Sequence, residues 1–230
     1  MTKVATEPVR IAIEAGQPVS GLLQVPGDAR ACFVFAHGAG AGMQHAFMAA
    51  LSEALAERCI ATLRYQFPYM EKGSKRPDPP KLAHAAVRAA VKEAERRLPH
   101  LGLVAGGKSF GGRMTSQAQA EMPLPGVRGL VFVGFPLHPA GKPSSDRAQH
   151  LREVQVPMLF LQGTRDDLAD AALMRPVIDD LEVRATAAWI DDADHSFHVR
   201  RQSGRSDAQV LQALADAISA WIDNALQPSR

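Results

Sequence analysis

Apolar residues along this chain follow two rhythms that take turns. Short continuous apolar runs alternate with longer stretches in which apolar residues return every three or four positions. The runs at 31–36 (ACFVFA), Ile60–Tyr65, Leu101–Ala105, Leu130–Val133, Met158–Gln162 and Ala185–Ile190 predict strands. Phe47, Met48, Leu51 and Leu55 lie at helical spacing, and Leu82, Ala86, Val87, Ala90, Val91, Ala94 and Leu98 mark one face of a longer helix. Further helices are predicted up to about Glu121, over Ala169–Leu181, and through Val210, Leu214, Ile218, Trp221 and Leu226. Val9–Ile13 and Val19–Val25 are short strand candidates joined by a Gly-Gln-Pro turn. The proline-rich segment 68–80 and residues 134–156 read as loops, the second with one short helix near Asp146–Arg152.

Strands that are apolar at every position are buried on both faces, and alternation with helices implies a mostly parallel sheet covered on both sides. The first two strands look like an antiparallel start to that sheet. No shift in composition and no repeat divides the chain, so residues 1–230 read as a single α/β domain.

Composition then narrows the partners. The 26 Lys and Arg against 24 Asp and Glu leave a formal charge of +2, which gives no footprint for nucleic acid or an anionic membrane. The two cysteines, Cys32 and Cys59, are too few for a disulfide framework, and no His/Cys cluster has zinc spacing. MTKVATEPVR has no apolar signal core, and no stretch approaches the roughly 20 apolar residues that span a bilayer. The expectation is a soluble, cytoplasmic domain.

Candidate chemistry centres on Gly107-Lys108-Ser109-Phe110-Gly111, a G-x-S-x-G pattern between an apolar strand and a helix. A nucleophile at such a turn needs a strained backbone and small neighbours two residues away on each side, and here both are glycine. The bland alternative is a serine that merely caps the helix. Residues 102–109, GLVAGGKS, also match the phosphate-cradling pattern G-x-x-x-x-G-K-[ST]. That loop needs its strand before the first glycine, whereas Leu103, Val104 and Ala105 continue a strand after it, so the match is set aside.

A serine hydroxyl needs a base, an orienting acid and donors for the oxyanion. His195, in DDADHSF just past the last strand, is the candidate base, with His198 its rival. Asp166, in LQGTRDD just after a strand, is the candidate acid, with Asp167 the second choice. The glycines of His37-Gly38-Ala39-Gly40 allow main-chain N–H groups to converge, so the oxyanion hole is assigned to the amides of Ala39 and Phe110. His37 reads as a structural residue holding that loop. The chain order Ser109, Asp166, His195 puts each group after a different strand of one sheet edge.

The segments HGAGAGMQHAFM, LRYQFPYMEKGSKRPDPP, GGKSFGGRM, GFPLHPAGKP, LQGTRDD and DADHSF resemble the alpha/beta-hydrolase superfamily across nearly the whole chain. More narrowly they resemble a small branch near the dienelactone hydrolases, which includes a testis-expressed protein and the hydrolase-like part of a nonspecific-lethal complex subunit. The resemblance implies an alpha/beta-hydrolase fold, with Ser109 as nucleophile, Asp166 as acid and His195 as base. Dienelactone hydrolases proper use a cysteine nucleophile, so Ser109 sets this chain apart from them.

The expected reaction is hydrolysis of a carboxylic ester, or a related acyl bond, of a small soluble substrate, with no metal and no organic cofactor. A serine peptidase, a thioesterase and a catalytically silent binding or scaffolding module are the alternatives. Residues 134–156 are too few for a helical lid, which predicts an open cleft and no separate lid domain. Met43, Phe47, Phe67, Tyr69, Phe135, Leu137 and Phe197 are candidate walls; Met43, Tyr69 and Leu137 are preferred as substrate contacts because they fall in loops at the catalytic edge. Lys72, Lys75 and Arg76 read as a solvated loop, with attraction of acidic substrates as the functional alternative.

Overall fold

The computed structural model describes residues 4–14 and 16–226. Their strands are β1 (Thr6–Ile11), β2 (Val19–Gln24), β3 (Ala31–Ala36), β4 (Ile60–Tyr65), β5 (Gly102–Lys108), β6 (Val127–Val133), β7 (Met158–Gly163) and β8 (Ala185–Ile190). All eight join one sheet in the order β1-β2-β4-β3-β5-β6-β7-β8. From β4 to β8 every neighbouring pair is parallel; β2 runs antiparallel to both β1 and β4. Every residue of β3, β4 and β7 is buried, which is why β3 is apolar throughout and β7 nearly so, while β4 buries Thr62 and Arg64 among its apolar residues.

The helices are α1 (Ala46–Ala56), α2 (Pro68–Glu71), α3 (Pro80–Arg97), α4 (Phe110–Glu121), α5 (Ala171–Asp180) and α6 (Asp207–Ala225). Successive side chains of a strand point to opposite faces, so each strand feeds two cores. Phe33 and Phe35 of β3 join Leu51 and Leu55 of α1 and Leu214 and Ile218 of α6. Cys32 and Val34 of the same strand join Val87 and Val91 of α3, Met114 of α4 and Met174 of α5. Each such fully buried Leu or Phe stabilises the fold by about 1.5–3 kcal/mol. Helix starts are set locally: Asp170 accepts from Ala172 N–H ahead of α5, and Ser206 and Gln209 form a capping box ahead of α6.

The sheet differs from the sequence reading most at its centre. Gly106 and Gly107 read as loop, but β5 runs through both to Lys108, paired with Phe35 and Ala36 on one side and Val131 and Phe132 on the other. Main-chain pairing to two neighbours holds a central strand even where it has no side chains. Gly102–Lys108 is thus strand throughout, which removes the phosphate-loop match on geometry. The segment 68–80 opens with the single turn α2, with Pro68 at its first position.

Residues 146–153 form a 3-10 helix where a short helix was expected. Leu137, Leu151 and Val154 are fully buried, so the connection between β6 and β7 packs down on the body of the fold. It forms no separate lid domain. Among the described residues, no helix is long and apolar enough to cross a membrane.

Candidate active site

The turn between β5 and α4 forces Ser109 into an unusual backbone, with φ 50° and ψ −116°. A non-glycine residue held there costs about 1–3 kcal/mol. Two main-chain bonds hold it: Ser109 N–H donates to Val133 O at 3.1 Å, and Arg113 N–H donates to Ser109 O at 3.1 Å. The flanking glycines are required by the close approach of β3. A Cβ on Gly107 would sit 2.5 Å from Ala36 O, and one on Gly111 would sit 2.6 Å from the same oxygen. Ser109 stands at the N-cap of α4, yet its side chain makes no capping bond. The bland reading of that serine therefore fails.

Its hydroxyl instead lies 2.8 Å from His195 Nε2, and His195 Nδ1 lies 2.7 Å from Asp166 Oδ2. Asp166 is buried, and three donors meet its carboxylate: the ring of His195, the Gln162 amide at 2.6 Å and the Leu168 N–H at 2.8 Å. A proton on Nδ1 satisfies the carboxylate and leaves the Nε2 lone pair toward Ser109, the tautomer a general base needs. Asp167, the second choice, is exposed. His198, the rival base, pairs with Asp207 at 2.6 Å.

The loop bearing His195 is pinned on several sides. Ala193 and Val199 form a bridge across it, and Asp194 Oδ1 accepts from Ser196 N–H and His198 N–H. Lys108 Nζ donates to His195 O at 2.6 Å and lies 5.4 Å from the centre of the Phe197 ring. Burial pulls the Lys108 ammonium down to about 8, opposed by the charges of Asp166 and Asp194. Sequence reasoning passed over Lys108, whose only signal was a long cationic side chain inside an otherwise small turn.

His37 and the loop after it flank Ser109 from β3. A Cβ placed on Gly38 would lie 3.8 Å from Ser109 Cβ, so this loop is in contact with the serine. Phe110 opens α4, so its N–H has no acceptor within the helix. His37 is fully buried: Nδ1 donates to Gly38 O at 2.7 Å, and Nε2 accepts from Phe67 N–H at 3.1 Å. Burial holds it neutral by lowering its pKa to about 4, against the raising effect of the Gly38 carbonyl.

A cleft of about 800 Å³ opens beside Ser109 and His195. Its walls are mainly apolar and include Phe47 of α1, Leu211 of α6 and Phe197, with Phe47 and Phe197 stacked at 6.0 Å. Met43, Tyr69 and Leu137 do not line it. Leu137 is fully buried in the core on the α3 face, and Met43 is held by its own main chain, bonded to Gln66 and Arg64. Tyr69 uses its hydroxyl to accept from Gly40 N–H at 3.1 Å and so supports the glycine loop instead. Phe67 and Phe135 are likewise core residues. Lys72, Lys75 and Arg76 are exposed. Among the described residues, no three His, Cys, Asp or Glu side chains gather as metal ligands.

A family model described as an alpha/beta hydrolase domain matches residues 29–223. The chain belongs to the alpha/beta hydrolase family. Similar folds are found among solved structures. A dienelactone hydrolase from Anabaena variabilis is 22% identical, with a TM-score of 0.79 over 98% of this chain and 100% of its own. A serine hydrolase without a lid from Xanthomonas campestris is 20% identical, with a TM-score of 0.72 over 94% of each chain. The esterase domain of a Rhodothermus marinus protein is 17% identical, with a TM-score of 0.73 over 96% of this chain and 98% of its own. This alpha/beta hydrolase thus shares its architecture with them along almost its full length.

Proposed function

We propose that this alpha/beta hydrolase cleaves a carboxylic ester, or a related acyl bond, of a small substrate through an acyl-enzyme on Ser109. The observation that carries the reading is the continuous relay of 2.8 Å and 2.7 Å from Ser109 through His195 to Asp166, at a strained turn whose serine caps nothing. Ser109 Oγ forms a bond to the acyl carbon as His195 Nε2 takes the hydroxyl proton. The amides of Ala39 and Phe110 receive the oxyanion, each worth about 3 kcal/mol in the transition state. The carbon–oxygen bond to the leaving group breaks, and His195 returns its proton to that oxygen. Water, activated by the same histidine, then hydrolyses the acyl-enzyme. The Asp166 carboxylate accepts from His195 Nδ1 throughout and stabilises the imidazolium.

The apolar cleft walled by Phe47, Phe197 and Leu211 supports an apolar acyl or alcohol group on the substrate. The names of the structural relatives, esterase and serine hydrolase, support the reaction class. Free thiols at Cys32 and Cys59 support a cytoplasmic setting. A fluorophosphonate probe is expected to label Ser109 and to fail with His195→Ala. A panel of p-nitrophenyl esters, thioesters, amides and lactones should show turnover that Ser109→Ala lowers by about 10⁴-fold or more. Undiminished turnover by that variant would remove Ser109 from the reaction, and a wild type that neither turns over an ester nor takes the label would leave a silent binding module.

A further inference from the structure

Most arginines of this protein have an acidic or carbonyl partner, but two half-buried ones do not. Arg113, on α4 one turn past Ser109, has a buried Nε with no hydrogen-bond partner, and neither its guanidinium nor that of Arg147 pairs with any described residue. By contrast Arg58, Arg88 and Arg97, also half-buried, each contact a carboxylate. Arg147 lies on the 3-10 segment 146–153, which packs against α4 through a 2.8 Å bond between His150 Nε2 and Ser116 Oγ.

Two more buried polar atoms without partners belong to the same neighbourhood: Gln117 Oε1, one turn beyond Arg113, and Nε2 of His84 on α3. Positive groups outnumber the free acidic ones there. Burial and then Arg147 push the Arg113 guanidinium down, while burial, Arg113 and His84 hold His150 at about 4. The nearby carboxylates are already engaged: Glu121 holds His84 and Arg88, and Asp146 accepts from Gln149. Arg113 lies three residues before Ser116 and Arg147 three before His150, so the bond between those two residues brings both half-buried guanidiniums to one seam, and like charges there without a counter-charge are costly. The same pair offers a fork of donors to an oxygen anion.

We propose that Arg113 and Arg147 form a binding site for an oxyanion, the chemistry shared by phosphate and carboxylate groups, between α4 and residues 146–153. It lies on the α3–α4 face of the sheet, whereas the apolar cleft is walled by α1 and α6. The anion is either free or carried on a charged arm of the acyl substrate.

Titration calorimetry of the full chain with inorganic phosphate at low ionic strength tests the site without reference to Ser109. Saturable binding is expected. Arg113→Met and Arg147→Met should each weaken it about tenfold or more, as loss of a charge-assisted bond does. Arg205→Met, at an exposed position, is the control for general surface charge and should leave it unchanged. If Arg113→Met does not fold, Arg147→Met alone decides, since its residue is on the outer segment. Absence of saturable binding to the wild type, or equal weakening by Arg205→Met, overturns the site.

The source of the anion follows from kinetics, and this arm rests on the proposed esterase activity. If the anion is part of the substrate, Arg147→Met raises KM for the mono-p-nitrophenyl ester of glutaric acid about tenfold more than for p-nitrophenyl butyrate. An equal response of both esters, together with lost phosphate binding, assigns the site to a free anion. A protein with no ester turnover at all refutes the hydrolase reading and leaves the phosphate titration standing.

Discussion

Two histidines follow strands at the same edge of the sheet and meet opposite fates. His37, directly after β3, spends both ring nitrogens on main-chain partners, Gly38 O and Phe67 N–H, and packs edge-on against the Phe67 ring at 5.0 Å. His195, after β8, spends both on side chains, Asp166 and Ser109, and its own side chain is 17% exposed. One ring is a buried neutral brace. The other sits between an acid and a hydroxyl with a route to solvent. What separates the two histidines is the set of groups that meet their ring nitrogens; proximity to Ser109 does not, since both loops flank it.

On the proposed mechanism, the largest effect should come from His195. His195→Ala is expected to lower kcat by about 10⁴-fold or more while thermal unfolding moves little, because the ring supports no buried main-chain group. Steady-state kinetics beside calorimetric melting reads both quantities, and a variant that loses its fold as well as its rate would erase the contrast. His37→Ala should do the reverse. It strands the Gly38 carbonyl and the Phe67 N–H in the core and destabilises by roughly 4 kcal/mol in urea unfolding. A shift of a few tenths would show that the brace is dispensable.

The protonation of His37 supplies a third test. Its folded pKa of about 4 lies below the ordinary value of 6.5, so the unfolded chain binds the extra proton first. Stability is therefore complete above about 6.5 and declines as pH falls toward 4, by up to about 3 kcal/mol from this group. Urea midpoints across that window should fall in the wild type, and less steeply in His37→Gln. The smallest expected effect belongs to Lys108→Met, which removes the bond to His195 O and leaves the ring bonds intact. About a tenfold lower kcat with KM nearly unchanged would mark Lys108 as a positioning residue for the His195 loop; an unchanged kcat would mean that the bridge at Ala193 and Val199 suffices.

Much of the fold was legible because buried parallel strands advertise themselves as unbroken apolar runs. The strands from 31–36 onward were read at nearly their true places, and the helix over Leu82–Leu98 at nearly its true length. Ser109, Asp166 and His195 were legible as residues that each follow a strand. The far end of β5 was not, since Gly106 and Gly107 have no side chain to declare a strand, and only pairing to β3 and β6 makes them one. The cleft walls were only half legible. Phe47 and Phe197 are there, but Met43, Tyr69 and Leu137 turn inward or brace a loop, because residues in loops at one edge can point either to solvent or to core.

Local pattern was enough to dictate an α/β sheet with covered faces, a sharp turn at Ser109, and the placing of Asp166 and His195 after later strands, since each of these rests on spacing or on the volume of an adjacent side chain. The pairing of His195 with Asp166 rather than Asp167, the lack of a partner for Arg113 and Arg147 among the described residues, and the course of the cleft between α1 and α6 arose only on folding. Those outcomes depend on distances of a few ångströms between segments far apart in the chain, and such distances follow from how helices pack on the sheet.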